Sequence, residues 1–160
     1  SPRWLAKRSS GLPMKARFQV CGTRAGGKER VTTHCGSCLC GAVQVAASGA
    51  PIHVAACHCE SCRRQTGAPF AVFADFSIDQ VSFSRSLPAL YESSPGRFRG
   101  FCAVCGSTIS YQGTNLPEMI HLHIGILNSA DDFEPQGDEN VSNKLSWVRI
   151  PTAPAVPPGR

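Results

Sequence analysis

Apolar and polar positions along this chain alternate in short runs, and no segment sustains the 3.6-residue period of a long helix. The stretch 42–46 predicts a strand, closed by the turn Ser48-Gly49-Ala50-Pro51. A second strand is expected over 52–56, running into Cys57. The polar stretch 63–69, punctuated by Gly67 and Pro69, reads as a loop. The apolar, aromatic run 70–76 predicts a buried strand, with Phe70, Phe73 and Phe76 in the core. Residues 78–83 suit a strand, although neither face is cleanly apolar, and 90–93 is a weaker one. Further strands are expected over 107–112 and over 119–127, the most apolar stretch and the expected central strand. The acidic stretch 128–140 reads as a loop, and 144–148 is expected to close the domain.

Many short strands with turns between them predict one mainly β domain, and no repeat of solenoid length is present. Its expected limits are 34–150. Residues 1–33 read as a basic, flexible leader, and residues 151–160, with four prolines, as a tail.

Charge sharpens this division. Residues 1–33 hold eight of the sixteen Lys/Arg and one of the eleven acids, leaving eight bases and ten acids from residue 34 onward. The net charge of +5 thus belongs to the leader, and the domain has no phosphate-tracking surface, so nucleic acid is not an expected partner. No apolar run approaches the roughly 20 residues of a membrane helix, so no membrane partner is expected.

Nine cysteines are many for 160 residues. An odd count and tight CxC and CxxC spacings favour metal over a disulfide framework, and with it a reducing, cytoplasmic location. Cys38-x-Cys40 and Cys102-x-x-Cys105 supply four thiolates, enough to close a structural zinc site that joins segments about sixty residues apart. Gly41 and Gly106, each following a ligand pair, let the chain turn so that backbone N–H groups face the sulfurs. Cys57, Cys59 and Cys62 form a second set of three. On an extended strand Cys57 and Cys59 would share one face and His58 the other. A fourth ligand for this set could come from Cys35, His53, His58, His121 or His123, or from water or a substrate thiol. Cys21 and Cys35 are left over.

These residues resemble the family of glutathione-dependent formaldehyde-activating enzymes and centromere protein V. The resemblance runs from about Gly36 to Ile150. It is carried by Cys38-Leu39-Cys40-Gly41, Cys57-His58-Cys59-Glu60-Ser61-Cys62-Arg63-Arg64, Gly67-Ala68-Pro69-Phe70, Cys102-Ala103-Val104-Cys105-Gly106, Gly125-Ile126-Leu127 and Lys144-Leu145-Ser146-Trp147. It implies an Mss4-like β-tent of short antiparallel strands stapled by two zinc ions per chain. Cys38, Cys40, Cys102 and Cys105 would hold the structural ion, and Cys57, Cys59 and Cys62 the ion of the active site. The sequence departs from the family pattern at Asn128 and around Asp138, changes expected to alter the substrate pocket.

The implied function is a carbon–sulfur lyase that forms or cleaves S-hydroxymethyl-thiol adducts, with glutathione as the small thiol. A zinc with three thiolates is a weak electrophile, better suited to holding a thiolate than to polarising a carbonyl. Arg63 and Arg64 could neutralise the thiolate cluster or bind a substrate carboxylate; as solvated loop residues they would do neither. The alternative function is a non-enzymatic zinc module that binds a thiol, a protein or nucleic acid.

Overall fold

A computed structural model describes residues 32–150. The expected leader and tail, with Cys21, lie outside the described residues. Ten strands form: β1 Thr33–Ser37, β2 Val43–Ser48, β3 His53–Cys57, β4 Ala71–Ser77, β5 Val81–Arg85, β6 Ala89–Ser94, β7 Arg97–Phe101, β8 Thr108–Gly113, β9 Met119–His123 and β10 Gly137–Glu139. One α-helix, α1 Glu60–Thr66, is present among the described residues. The mainly β fold is as expected. No helix among the described residues is long and apolar enough to cross a membrane.

The strands make a three-stranded sheet, β1-β2-β5, and a seven-stranded sheet, β10-β3-β4-β9-β8-β7-β6. All neighbours are antiparallel except β10 and β3, which run parallel. Alternation in β2 sends Val43, Val45 and Ala47 inward. Val45 and Ala47 meet Val54, Ala74, Phe76, Ile120 and Leu122 from one face of the large sheet, with Leu127 and Phe133 completing this core. Strand β4 is buried on both faces, which is why its sequence reads as a nearly continuous apolar run.

Several expected elements shift. The stretch 63–69 is not a loop: α1 occupies most of it and ends at Gly67, whose φ of 66° lets its N–H cap the Arg63 carbonyl. Residues 78–83 begin as a 3₁₀ turn, Ile78–Gln80, because the Gln80 side chain accepts from the Ser77 N–H and donates to the Ser48 carbonyl. The stretch 119–127 is central, lying fourth of seven, but the strand stops at His123 and a 3₁₀ turn, Ile124–Ile126, follows. The stretch 128–140 contributes β10, and β1 forms where no strand was expected. The stretch 144–148 forms no strand; Val148 is buried while Trp147 is 66% exposed.

Gly36 of β1 bridges to Leu127, in the segment that follows β9. A Cβ there would run into the Ile126 carbonyl, which belongs to backbone and cannot swing aside. Gly36→Ala is therefore expected to cost about 1–3 kcal/mol, the usual range for overpacking. Urea unfolding of reduced, metal-loaded protein checks this, and an unchanged midpoint would contradict the close approach.

Candidate metal centres

Each of the two turns that follow β1 and β7 carries a pair of thiols. Cys38 and Cys40 come from the first, Cys102 and Cys105 from the second, and their four sulfurs lie within 4.8 Å of one another. Cys38 and Cys40 are 3.6 Å apart, and Cys40 and Cys102 3.8 Å. Four sulfurs each about 2.3 Å from a common zinc would sit roughly 3.8 Å apart, so this set fits the ion. Gly41 and Gly106 have φ of 74° and 76°, the left-handed turn expected after each pair. The tightened chain aims donors at sulfur: the Val43 N–H donates to Cys38 Sγ at 3.2 Å, and the Ser107 hydroxyl lies 3.2 Å from Cys105 Sγ. That hydroxyl, ahead of the neighbouring backbone donors, pushes the Cys105 thiol down to about 5. Val43 and Ile109 seal the set with apolar surface.

The second group is local. Cys57 ends β3, Cys59 is the N-cap of α1, and Cys62 lies in the first turn of α1; their sulfurs also lie within 4.8 Å of one another. The chain leaves the strand at Cys57, so Cys57 and Cys59 do not share a strand face as their spacing suggested. Instead Cys59 Sγ accepts from the Cys62 N–H at 3.3 Å, the role Ser or Asp usually takes at a helix start. The Cys62 thiol's hydrogen bond pushes Cys57 down to about 5, and the same bond pushes Cys62 up. Three soft thiols in this compass match zinc's donor preference.

None of the histidines considered as a fourth ligand joins this group. His53 bonds Gln136 at 2.9 Å, and His121 Nδ1 bonds Asp75 at 2.6 Å. His58 is fully buried against Phe70, with Nε2 3.3 Å from Asp138, which also pairs with Lys144. His123 packs on the Phe73 ring at 4.4 Å. Cys35 lies on β1, in the other sheet, where its carbonyl accepts from the Asn128 N–H.

Arg63 and Arg64 also point elsewhere. Arg63 donates to the Asn143 carbonyl at 3.1 Å, and Arg64 pairs with Glu60 at 2.6 Å on the exposed side of α1. With Gly67, Ala68, Pro69 and Leu145 these residues line a groove of about 500 Å³. The cation that reaches the thiols is Arg99. It is 7% exposed, with Nη1 3.7 Å from Cys62 Sγ and 2.9 Å from Gln65 Oε1, while Nε donates to Ser93. On the other flank Asn140 Nδ2 donates to Cys57 Sγ at 3.3 Å.

Arg99 belongs to a row set by strand register. His53, Asp75, His121, Tyr111 and Arg99 are successive cross-strand partners on β3, β4, β9, β8 and β7, so they share one face of the large sheet. Two positions along β3 and β4, Phe73 and Ala55 are partners on that same face, as are Cys57 and Ala71. The large sheet thus has an apolar face turned to the small sheet and a polar face that carries the three thiols. Sequence reading missed Arg99, Asn140, Asp75 and Tyr111 as site residues. Only Asp75, a lone charge inside an apolar run, carried a visible signal.

A family model described as glutathione-dependent formaldehyde-activating enzyme matches residues 33–143. An uncharacterized lyase of Schizosaccharomyces pombe is 35% identical over 80 residues, which are 50% of this chain and 58% of that protein. The chain therefore matches a little over half the length of that relative. A crystal structure of a Rhodobacter sphaeroides protein, 25% identical, superposes with a TM-score of 0.53 over 66% of this chain and 99% of its own.

Replacing Arg99 by Met removes the buried counter-charge of the three thiols. A metal ion held by these three thiols would then be expected to bind about 10–100-fold more weakly, the usual effect of losing an outer-layer partner. Chelator competition measures this, and unchanged affinity would show that Arg99 does not support the group.

A second expectation concerns His123, pushed down to about 4 by burial and by the Arg99 charge. Its unfolded value is about 6.5, so the unfolded chain gains the extra proton first. Its contribution to stability is present above about pH 6.5 and lost as pH falls through about 4. Ring-carbon NMR should show His123 neutral at pH 5.5; a midpoint near 6.5 would contradict its burial.

Proposed function

The chain belongs to the glutathione-dependent formaldehyde-activating enzyme family, and on that premise we propose that it is a zinc-dependent carbon–sulfur lyase. It would form or cleave the S-hydroxymethyl adduct of a small thiol such as glutathione. Cys38, Cys40, Cys102 and Cys105 hold a closed structural ion in this reading, and Cys57, Cys59 and Cys62 the reactive one. The observation that carries the proposal is the local three-thiol group with a buried guanidinium against it. A zinc ion held there would favour the thiolate form of an incoming thiol.

The residues around the group fit that task. An additional thiolate next to three others is opposed by repulsion. Arg99, desolvated and fixed by Gln65 and Ser93, offsets that charge more effectively than an exposed cation. Asn140 donates a further hydrogen bond to sulfur. In the groove outside α1, Arg64 is paired directly with Glu60, whereas Arg63 donates to the Asn143 carbonyl. Arg63 is therefore the better candidate for a substrate carboxylate, with Arg64 a secondary contact. The thiol-rich domain, with no disulfide between described residues, suits a reducing compartment such as the cytoplasm.

Cobalt substitution of reduced protein tests the reading. Two metal ions per chain are expected, and glutathione should change the spectrum of the three-thiol ion but not that of the four-thiol ion. Cys59→Ser should abolish the response and keep most of the fold, since its partners are local. Cys105→Ser should impair folding, because its ion joins the two sheets. In the same titration Arg63→Ala should weaken glutathione binding roughly tenfold, an effect of about 1.4 kcal/mol, with metal content unchanged. A second ion that ignores thiols would leave the closed, non-enzymatic zinc module as the better description.

A further inference from the structure

Of the described cysteines Cys40 alone is exposed; Cys38, Cys57, Cys62 and Cys102 are buried, and Cys35, Cys59 and Cys105 are half-buried. The turn that carries Cys40 stands in solvent, with Leu39 91% exposed, and so does the facing turn, where Val104 is 77% exposed. A small oxidant therefore meets one sulfur of the four-thiol group directly. The three-thiol group is better protected: Cys57 and Cys62 are buried, and Cys59 Sγ already accepts from the Cys62 N–H. Oxidation of cysteine follows thiolate character and exposure, and metal ligation supplies the thiolate.

Two sulfurs lie beside Cys40 Sγ, Cys38 at 3.6 Å and Cys102 at 3.8 Å. They are not equivalent. Cys38 is two residues away on the same turn, so a bridge to it would close a ring across Leu39 alone. A disulfide has a narrowly set torsion, and so small a ring strains it. The turn is also pinned, since the Leu39 N–H donates to Ser107 Oγ at 3.0 Å and the Val43 N–H to Cys38 Sγ at 3.2 Å. Cys102 comes from the other turn, 62 positions away, and a bridge to it closes no small ring.

We propose that Cys40 is an oxidation site, and that peroxide converts the four-thiol group into a Cys40–Cys102 disulfide that replaces the ion as the tie between the two turns. The Cys40 sulfur attacks a peroxide oxygen, the O–O bond breaks, and a sulfenic acid forms while hydroxide leaves and takes up a proton. The Cys102 sulfur then attacks the Cys40 sulfur; the S–S bond forms, the S–O bond breaks, and a second hydroxide leaves as water. Two thiolates together lose two electrons, and peroxide and two protons become two waters. Cys38 and Cys105 remain as donors, too few to close a tetrahedral site. A small thiol reverses the change by exchange: two of its molecules are oxidised to their own disulfide, and the four-donor set is restored. Ligation and the bridge cross-link the same two segments, so the domain stays tied in both states. None of this depends on the lyase reading.

The test treats full-length, reduced, zinc-loaded protein with equimolar hydrogen peroxide. A chromogenic chelator should record the loss of one zinc per chain, and the mass should fall by two hydrogens. Peptide mapping should place the bridge between Cys40 and Cys102, and dithiothreitol with added zinc should restore mass and metal content. The oxidised, metal-depleted protein should unfold in urea at a higher midpoint than reduced protein stripped of metal by chelator. Protein that keeps all its zinc overturns the proposal, as does a bridge at Cys38–Cys40 or within the three-thiol group. Cys40 carried on to sulfinic acid without a bridge, or an oxidised midpoint no higher than that of the stripped protein, overturns it too. Every measurement is made on the wild type, so no variant has to fold.

Discussion

Four sulfurs from two turns about sixty residues apart lie within 4.8 Å of one another, two of their pairs at 3.6 and 3.8 Å, and as thiolates they would not gather so closely without a compensating charge. One turn leads from the small sheet's β1 into β2, and the other from β7 into β8 of the large sheet. A tetrahedral ion between them would fix the two sheets at the end of β1, close to where Gly36 bridges to Leu127 in the segment after β9. The core between the sheets is modest, resting on small residues such as Ala47 and Ala74 and on two large aromatics, Phe76 and Phe133. Metal ligation in such a domain contributes folding free energy directly rather than decorating a fold already made.

That anchoring leaves the large sheet with two different faces. One is spent on the core. The other carries His53, Asp75, His121, Tyr111 and Arg99 in a row, although antiparallel sheets commonly leave such a face to water. Burying charges costs more than burying hydrocarbon, so each member needs a partner: Asp75 has His121, and Arg99 has Gln65, Ser93 and the Cys62 sulfur. The three thiols sit at one end of this face because β3 delivers Cys57 to it and α1 folds Cys62 back over Phe73. A polar face recessed beneath a helix is a setting in which small changes of charge are felt strongly.

Asp138 is tied into the fold by two partners. It does not face the thiols. It meets the buried His58 and the Lys144 ammonium, tying β10 and the chain after it to the cysteine segment, and that pairing with Lys144 holds its carboxyl below the usual range. Its neighbour Asn140, in the left-handed region with φ of 54°, turns its amide towards Cys57.

Spacing along the chain was enough to announce two groups of thiols, because CxC and CxxC bring sulfurs together through local turns. Short alternating runs were enough for a mainly β domain, since a two-residue period is local too. Elements that depend on a distant partner were not legible. Strand β10 is three residues of mostly polar sequence and is a strand only because the edge of β3 accepts it. Helix α1 is too short to show a period and starts on an unusual cap, Cys59. Arg99 lies 37 positions from Cys62, and His121 lies 46 from Asp75. Those contacts are fixed by the register of β7 on β8 and of β9 on β4, and register is a property of paired strands, which no single segment of sequence contains.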